Sequence, residues 1–173
     1  DHFDHNNVAM AAGRPKVVWG ATSAAWHPAT VQLRDVSVTV IGGAYHDESQ
    51  GAQRGRTALL SIATEGIRIL HLGDLGHRLD VNLLAQSGGH DVLCVPIGGH
   101  FTIDGETARN VAESVAAAIV VPMHYRTGRM SERDWPIATL ESSGLLSGVA
   151  AIDRRDSGTI SLDPARLPDT QTI

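Results

Sequence analysis

The residues with the densest chemistry are the first five, Asp1-His2-Phe3-Asp4-His5. Two imidazoles and a carboxylate lie within four consecutive positions, His2 to His5, and these are the side chains that hold transition metals. Written as x-His-x-Asp-His, the run is the tail of the pattern His-x-His-x-Asp-His, whose leading His would stand one residue before Asp1. Further on, one arrangement recurs. An apolar strand pattern ends, a Gly or Pro lets the backbone turn, and a ligand-type side chain comes next. It yields His46 after Gly42-Gly43, Asp74 after Gly73, His100 after Gly98-Gly99, and His124 after Pro122-Met123. Strand ends on one rim of a sheet converge, and loops there commonly carry the chemistry. Imidazoles mixed with carboxylates suit Zn, Fe, Mn or Ni rather than Ca or Mg. The competing reading is a solvated terminus and ordinary polar loop histidines.

The elements that must position these side chains are read from periodicity. Asn6 to Ala12 reads as a short helix stopped by Gly13, Lys16 to Trp19 as a strand, and Gly20 to Thr30 as a loop. Val36, Val38 and Val40 alternate with Ser37 and Thr39, the period of a half-buried strand. Thr57 to Ala63 and Ile67 to Leu72 flank Glu65-Gly66 and read as a hairpin. Leu79 to Gln86 is weakly helical. Asp91 to Ile97 and Ile119 to Val121 are buried strands. Between them, Asp104 caps a helix running to about Ala117, whose Ala108, Val111, Ala112 and Val115 share one face. A helix capped by Asp134 is expected through Glu141. Two last strands are expected at Val149–Ile152 and Thr159–Leu162.

The chain has 173 residues, enough for one domain spanning 1–173. Its formal net charge is −5, which argues against a nucleic-acid or anionic-membrane surface. No apolar run is long enough to cross a bilayer. Cys94 is the single cysteine, so an intrachain disulfide is excluded, and it reads as apolar filler. The chain opens in mid-motif without Met and shows no signal-peptide pattern. The expectation is a piece of a longer, cytoplasmic protein, with a removed leader left open.

Taken in order, His2-x-Asp4-His5, His46, Gly73-Asp74 and Pro122-Met123-His124 resemble the ligand series of the metallo-β-lactamase superfamily. The runs HLGDLGH, DVLCVPIGGHFTID and VVPMHY are similar to its bacterial ascorbate-phosphate lactonase-like branch. The resemblance runs from the first residue to about Thr127. It implies an α/β (α+β) fold, the four-layered αββα sandwich, with the N-terminal part missing from this chain. It also implies two divalent metal ions, zinc first with Mn or Fe as alternatives. The absent His, His2 and His46 would hold one. Asp4, His5 and His124 would hold the other, with Asp74 bridging.

The activity so implied is hydrolysis of a small ester, lactone or phosphodiester by a metal-activated water. Asp74 would orient the water and Asp4 would accept its proton. His100 would either donate a hydrogen bond to substrate or a developing oxyanion, or support a ligand from behind. His77 has the same two readings. His71 reads as a satisfied, partly buried histidine, and His27 and His90 as surface. Arg54, Arg56 and Arg126 lie on loops near the ligands. They suit an anionic small-molecule substrate, or are solvated charges or partners of Asp47 or Glu48. Two alternative functions stand beside this one: β-lactam hydrolysis, and a non-catalytic metal-binding or oligomerisation domain. An exposed sheet edge would favour a homo-oligomer.

Overall fold

The computed structural model describes residues 29–155 and 157–173. The expected helix at 6–12, the strand at 16–19, and His2, Asp4, His5 and His27 lie outside the described residues. The frame is a six-stranded sheet in the order β1 (Ala29–Leu33), β2 (Val36–Tyr45), β3 (Arg56–Thr64), β4 (Ile67–His71), β5 (Val92–Pro96) and β6 (Ile119–Met123). The first four strands pair antiparallel and the last three parallel. Glu65 and Gly66 both have positive φ, 47° and 79°. That is the two-residue turn whose twist matches a tight hairpin. Parallel neighbours need crossovers, and the two helices supply them: α1 (Val81–Ser87) between β4 and β5, α2 (Gly105–Val115) between β5 and β6.

Each helix starts on an aspartate. Asp80 accepts from the N–H groups of Asn82 and Leu83, and Asp104 accepts from Thr107 N–H, which satisfies donors a helix start leaves open. α2 stops where Ala116 turns left-handed. Its apolar stripe, Ala108, Val111, Ala112 and Val115, packs with Leu83 of α1 onto Leu59, Leu70, Leu93 and Val120 of the sheet. The register confirms one face: Ser61, Leu70, Leu93 and Val120 are successive partners across β3 to β6. The other face carries Val40, Leu60, His71, Cys94 and Val121. The architecture is therefore α+β, a mixed sheet with a helical layer. Of a four-layered sandwich, the described residues supply one sheet and the helices on it.

Four expectations change. Residues 29–33 form β1 rather than the end of a loop, zipped to β2 with Thr30 and Thr39 hydroxyls 3.0 Å apart. No helix forms over 134–141. There, Ala138 N–H donates to the Gly98 carbonyl and Arg126 N–H to the Ala138 carbonyl, so the backbone groups a helix would need are committed elsewhere. Neither late strand forms. Ala151 makes an isolated bridge to Thr172, and 159–162 is irregular. Finally, His90 is not on the surface. It is 4% exposed, with Nε2 2.7 Å from Ser61 Oγ and Nδ1 2.8 Å from the Ser87 carbonyl.

Candidate metal centre

The end of β2 is steered by a bulge. The β2–β3 register shifts between Ile41 and Ala44, and Gly43 takes φ +93°. A bulge bends its strand and re-aims the residues beyond it. Here those residues are Tyr45 and His46, held from both sides by the turn after β4. Gly76 N–H donates to the Tyr45 carbonyl at 2.9 Å, and Tyr45 N–H donates to His77 Nε2 at 3.1 Å. His77 Nδ1 faces the Arg78 carbonyl at 2.7 Å, so its proton sits there and Nε2 is free to accept. Gly76 is required, because a Cβ there would overlap the His46 carbonyl. His77 is thus a positioning residue for the His46 segment, the second of its two expected roles.

Asp74 lies in the same turn. Gly73, at φ +55°, has no room for a Cβ, which would meet Thr57 Oγ1 at 2.8 Å. Gly73 N–H donates to His71 Nδ1 at 3.0 Å, so His71 is a satisfied, partly buried histidine, as expected. Burial pushes its pKa down, and the Asp74 charge pulls the other way. His124 comes directly after β6 with a left-handed φ of 52°. Gly98 makes room for it, since a Cβ there would lie 2.5 Å from the His124 carbonyl oxygen. The Asp74 carboxylate and His124 Nδ1 are 3.4 Å apart. His124 Nε2 is buried and, among the described residues, has no hydrogen-bond partner.

An orphaned buried imidazole nitrogen is costly in a folded protein, and a divalent metal is one partner that would satisfy it. The donor chemistry fits, an imidazole beside a carboxylate. Among the described residues, no group of three or more His, Cys, Asp or Glu is assembled around a metal. The structure brings Asp74 and His124 together and fixes the His46 backbone against the same turn. His2, Asp4 and His5 lie outside the described residues.

His100 stands apart from that pair. It is exposed, its ring packs edge-on to Phe101 at 4.3 Å, and Phe101 in turn lies 6.4 Å from the His124 ring. Arg54 joins this group, with Nη1 donating to the His100 carbonyl at 2.7 Å and its guanidinium over the Phe101 ring. Arg126 is spent on the Ile137 carbonyl and Glu132. The Arg54 loop is organised by Asp47, whose carboxylate accepts the N–H groups of Ser49, Gly51, Gln53 and Arg54. Desolvation opposes that charge, but the four N–H groups hold its pKa below the usual range. Of the alternatives for Arg54, the one that paired it with Asp47 is met by the Arg54 backbone N–H rather than by its guanidinium. Phe101, Gly76 and Gly98 were not among the expected site residues. An aromatic residue directly after a Gly-Gly-His turn was the available signal for Phe101.

A family model described as a β-lactamase superfamily domain matches residues 1–124. A UPF0173 metal-dependent hydrolase from Methanosphaerula palustris is 31% identical over 149 residues, which cover 77% of this chain and 68% of that protein. A second, from Staphylothermus marinus, is 31% identical over 88 residues, 51% of this chain and 37% of that protein. The chain thus spans well under two thirds of some curated relatives. A crystal structure from Thermotoga maritima, described as a Zn-dependent hydrolase of the metallo-β-lactamase superfamily, superposes with a TM-score of 0.68. It is 25% identical in sequence, over 84% of this chain and 67% of that one.

Proposed function

The chain belongs to the β-lactamase superfamily, and from that premise we propose that it is a metal-dependent hydrolase of a small ester, lactone or phosphodiester. The observation that carries the reading is the Asp74–His124 pair with its buried Nε2, unpartnered among the described residues. In this proposal His2 and His46 would hold one divalent ion and Asp4, His5 and His124 a second, Asp74 would serve as a further ligand, and zinc is the first candidate. Such ions lower the pKa of a water towards about 7 and polarise a substrate oxygen.

The chain's own residues do the rest. Asp74 orients the attacking water and Asp4 accepts its proton. The water oxygen bonds to the carbonyl carbon or phosphorus, the bond to the leaving oxygen breaks, and that oxygen takes up the proton. His100 offers an N–H towards the developing oxyanion. No serine or cysteine nucleophile is needed.

The test is a hydrolysis panel of lactones, carboxylic esters, phosphodiesters and a β-lactam, run with and without added zinc. Zinc-dependent turnover is expected with at least one of the first three classes. Asp74→Ala should abolish it while the circular dichroism spectrum is retained. Turnover confined to the β-lactam would favour that alternative. No turnover above metal-free controls would leave a scaffold that binds without catalysing.

A further inference from the structure

Beside Asp74 and His124 stands an exposed wall built from two loops. Arg54 comes from the β2–β3 loop, His100 and Phe101 from the loop after β5. The guanidinium carbon lies 4.8 Å from the centroid of the Phe101 ring, within the range of a cation–π contact. Phe101 is 36% exposed, although it sits between a cation and two imidazoles. One aromatic ring therefore separates the Arg54 guanidinium from the His124 imidazole.

Two features distinguish this arginine from one that only fastens loops together. First, among the described residues no carboxylate pairs with it, and only Nη1 is engaged. Arg126 shows the contrast, closed off by a carbonyl and by Glu132. Second, Arg54 is oriented before anything binds. Asp47 fixes the loop through four backbone N–H groups, the last of them Arg54's own at 2.8 Å. The His100 carbonyl and the Phe101 face then fix the side chain. A guanidinium held this way loses little freedom on meeting an anion, and its planar fork matches carboxylate or phosphate. The exposed ring offers a flat apolar surface next to it.

We propose that Arg54 and Phe101 form a recognition subsite for a substrate bearing a second, non-reacting carboxylate or phosphate beside a planar or apolar group. The proposal rests on the hydrolase reading for its biological meaning, but its test does not use turnover. The probes are phenylphosphonate, methylphosphonate and benzyl alcohol, none of which has an ester bond, titrated calorimetrically into the zinc-loaded chain. Phenylphosphonate should bind saturably, and benzyl alcohol should not. Arg54→Gln should weaken phenylphosphonate about tenfold or more, and Arg54→Lys, which keeps the charge without the fork, by less. Phe101→Leu should weaken phenylphosphonate by a larger factor than methylphosphonate, which loses only the ring's hold on Arg54. Thermal midpoints of the variants serve as the check on folding. Absence of saturable binding to the wild-type chain would overturn the subsite. So would equal affinity in Arg54→Gln and wild type, which would place the anion on the metal alone. A panel that shows no hydrolysis, with Arg54-dependent binding intact, would instead remove the hydrolase reading and keep the subsite.

Discussion

His124 and His90 show how differently two histidines of one chain are used. His124 presents one ring nitrogen to Asp74 and keeps the other buried, with no partner among the described residues. His90 has both nitrogens satisfied, by Ser61 and Ser87. Its pKa is pushed below 6.5, chiefly by burial, with the nearby Arg68 charge acting in the same direction. Because the native state resists a proton that the unfolded chain accepts, His90 leaves stability unaffected well above pH 6.5 and lowers it as pH falls from there. Urea unfolding between pH 8 and pH 5 should show this decline, and His90→Gln should make it shallower. An unchanged slope would mean that His90 is protonated in the native state. The donors at strand ends were legible because a turn residue followed by His or Asp is a local pattern. The burial of His90 was not, because its partner Ser61 is 29 positions away and the flanking Gly88, Gly89 and Asp91 look like surface.

At the level of elements, the placement of Asp74, His124 and the His46 segment depends on glycines as much as on those residues. Gly76 lets the turn after β4 lie against the His46 peptide, and Gly98 lets the loop after β5 lie against His124. Gly76→Ala is expected to cost more than about 2 kcal/mol in unfolding free energy and to weaken zinc binding by displacing the His46 peptide, although no proposed ligand is itself substituted. Gly128→Ala, with nothing within 4 Å of its added Cβ, should change neither. Equal behaviour of the two variants in thermal unfolding and zinc titration would refute the packing role of Gly76. Strands β2 to β6 and α2 with its Asp104 cap were legible from alternation, apolar runs, the 3.6 period and the cap residue, all local signals, whereas β1 and the Asp80 cap of α1 were not. The segment after β6 was not. Its backbone pairs with residues far off in sequence, such as Ala138 with Gly98 and Ala151 with Thr172, and such pairing overrides a local helix or strand preference. Pro136, which a helix capped by Asp134 would have carried in its first turn, lies in irregular chain instead.

On the scale of the molecule, the sheet has one face closed by helices, with Leu59, Leu70 and Leu93 fully buried, and another where Val121 remains 38% exposed. The loops that carry Asp74, His100 and His124 leave strands β4, β5 and β6, and Arg54 reaches them from the β2–β3 connection. The rigid sheet thus holds Asp74 and His124 at a separation that a metal could use. Among the described residues, no helix is long and apolar enough to cross a membrane. If this rim holds metal, zinc affinity must depend on Asp74 and His124. We would titrate zinc against a chromophoric chelator with the wild-type chain, Asp74→Asn and His124→Asn, the last chosen because asparagine tolerates the left-handed backbone at that position. Tight zinc uptake is expected of the wild type and a loss of at least about tenfold in each variant, with circular dichroism unchanged. Equal zinc affinity in all three proteins would contradict it.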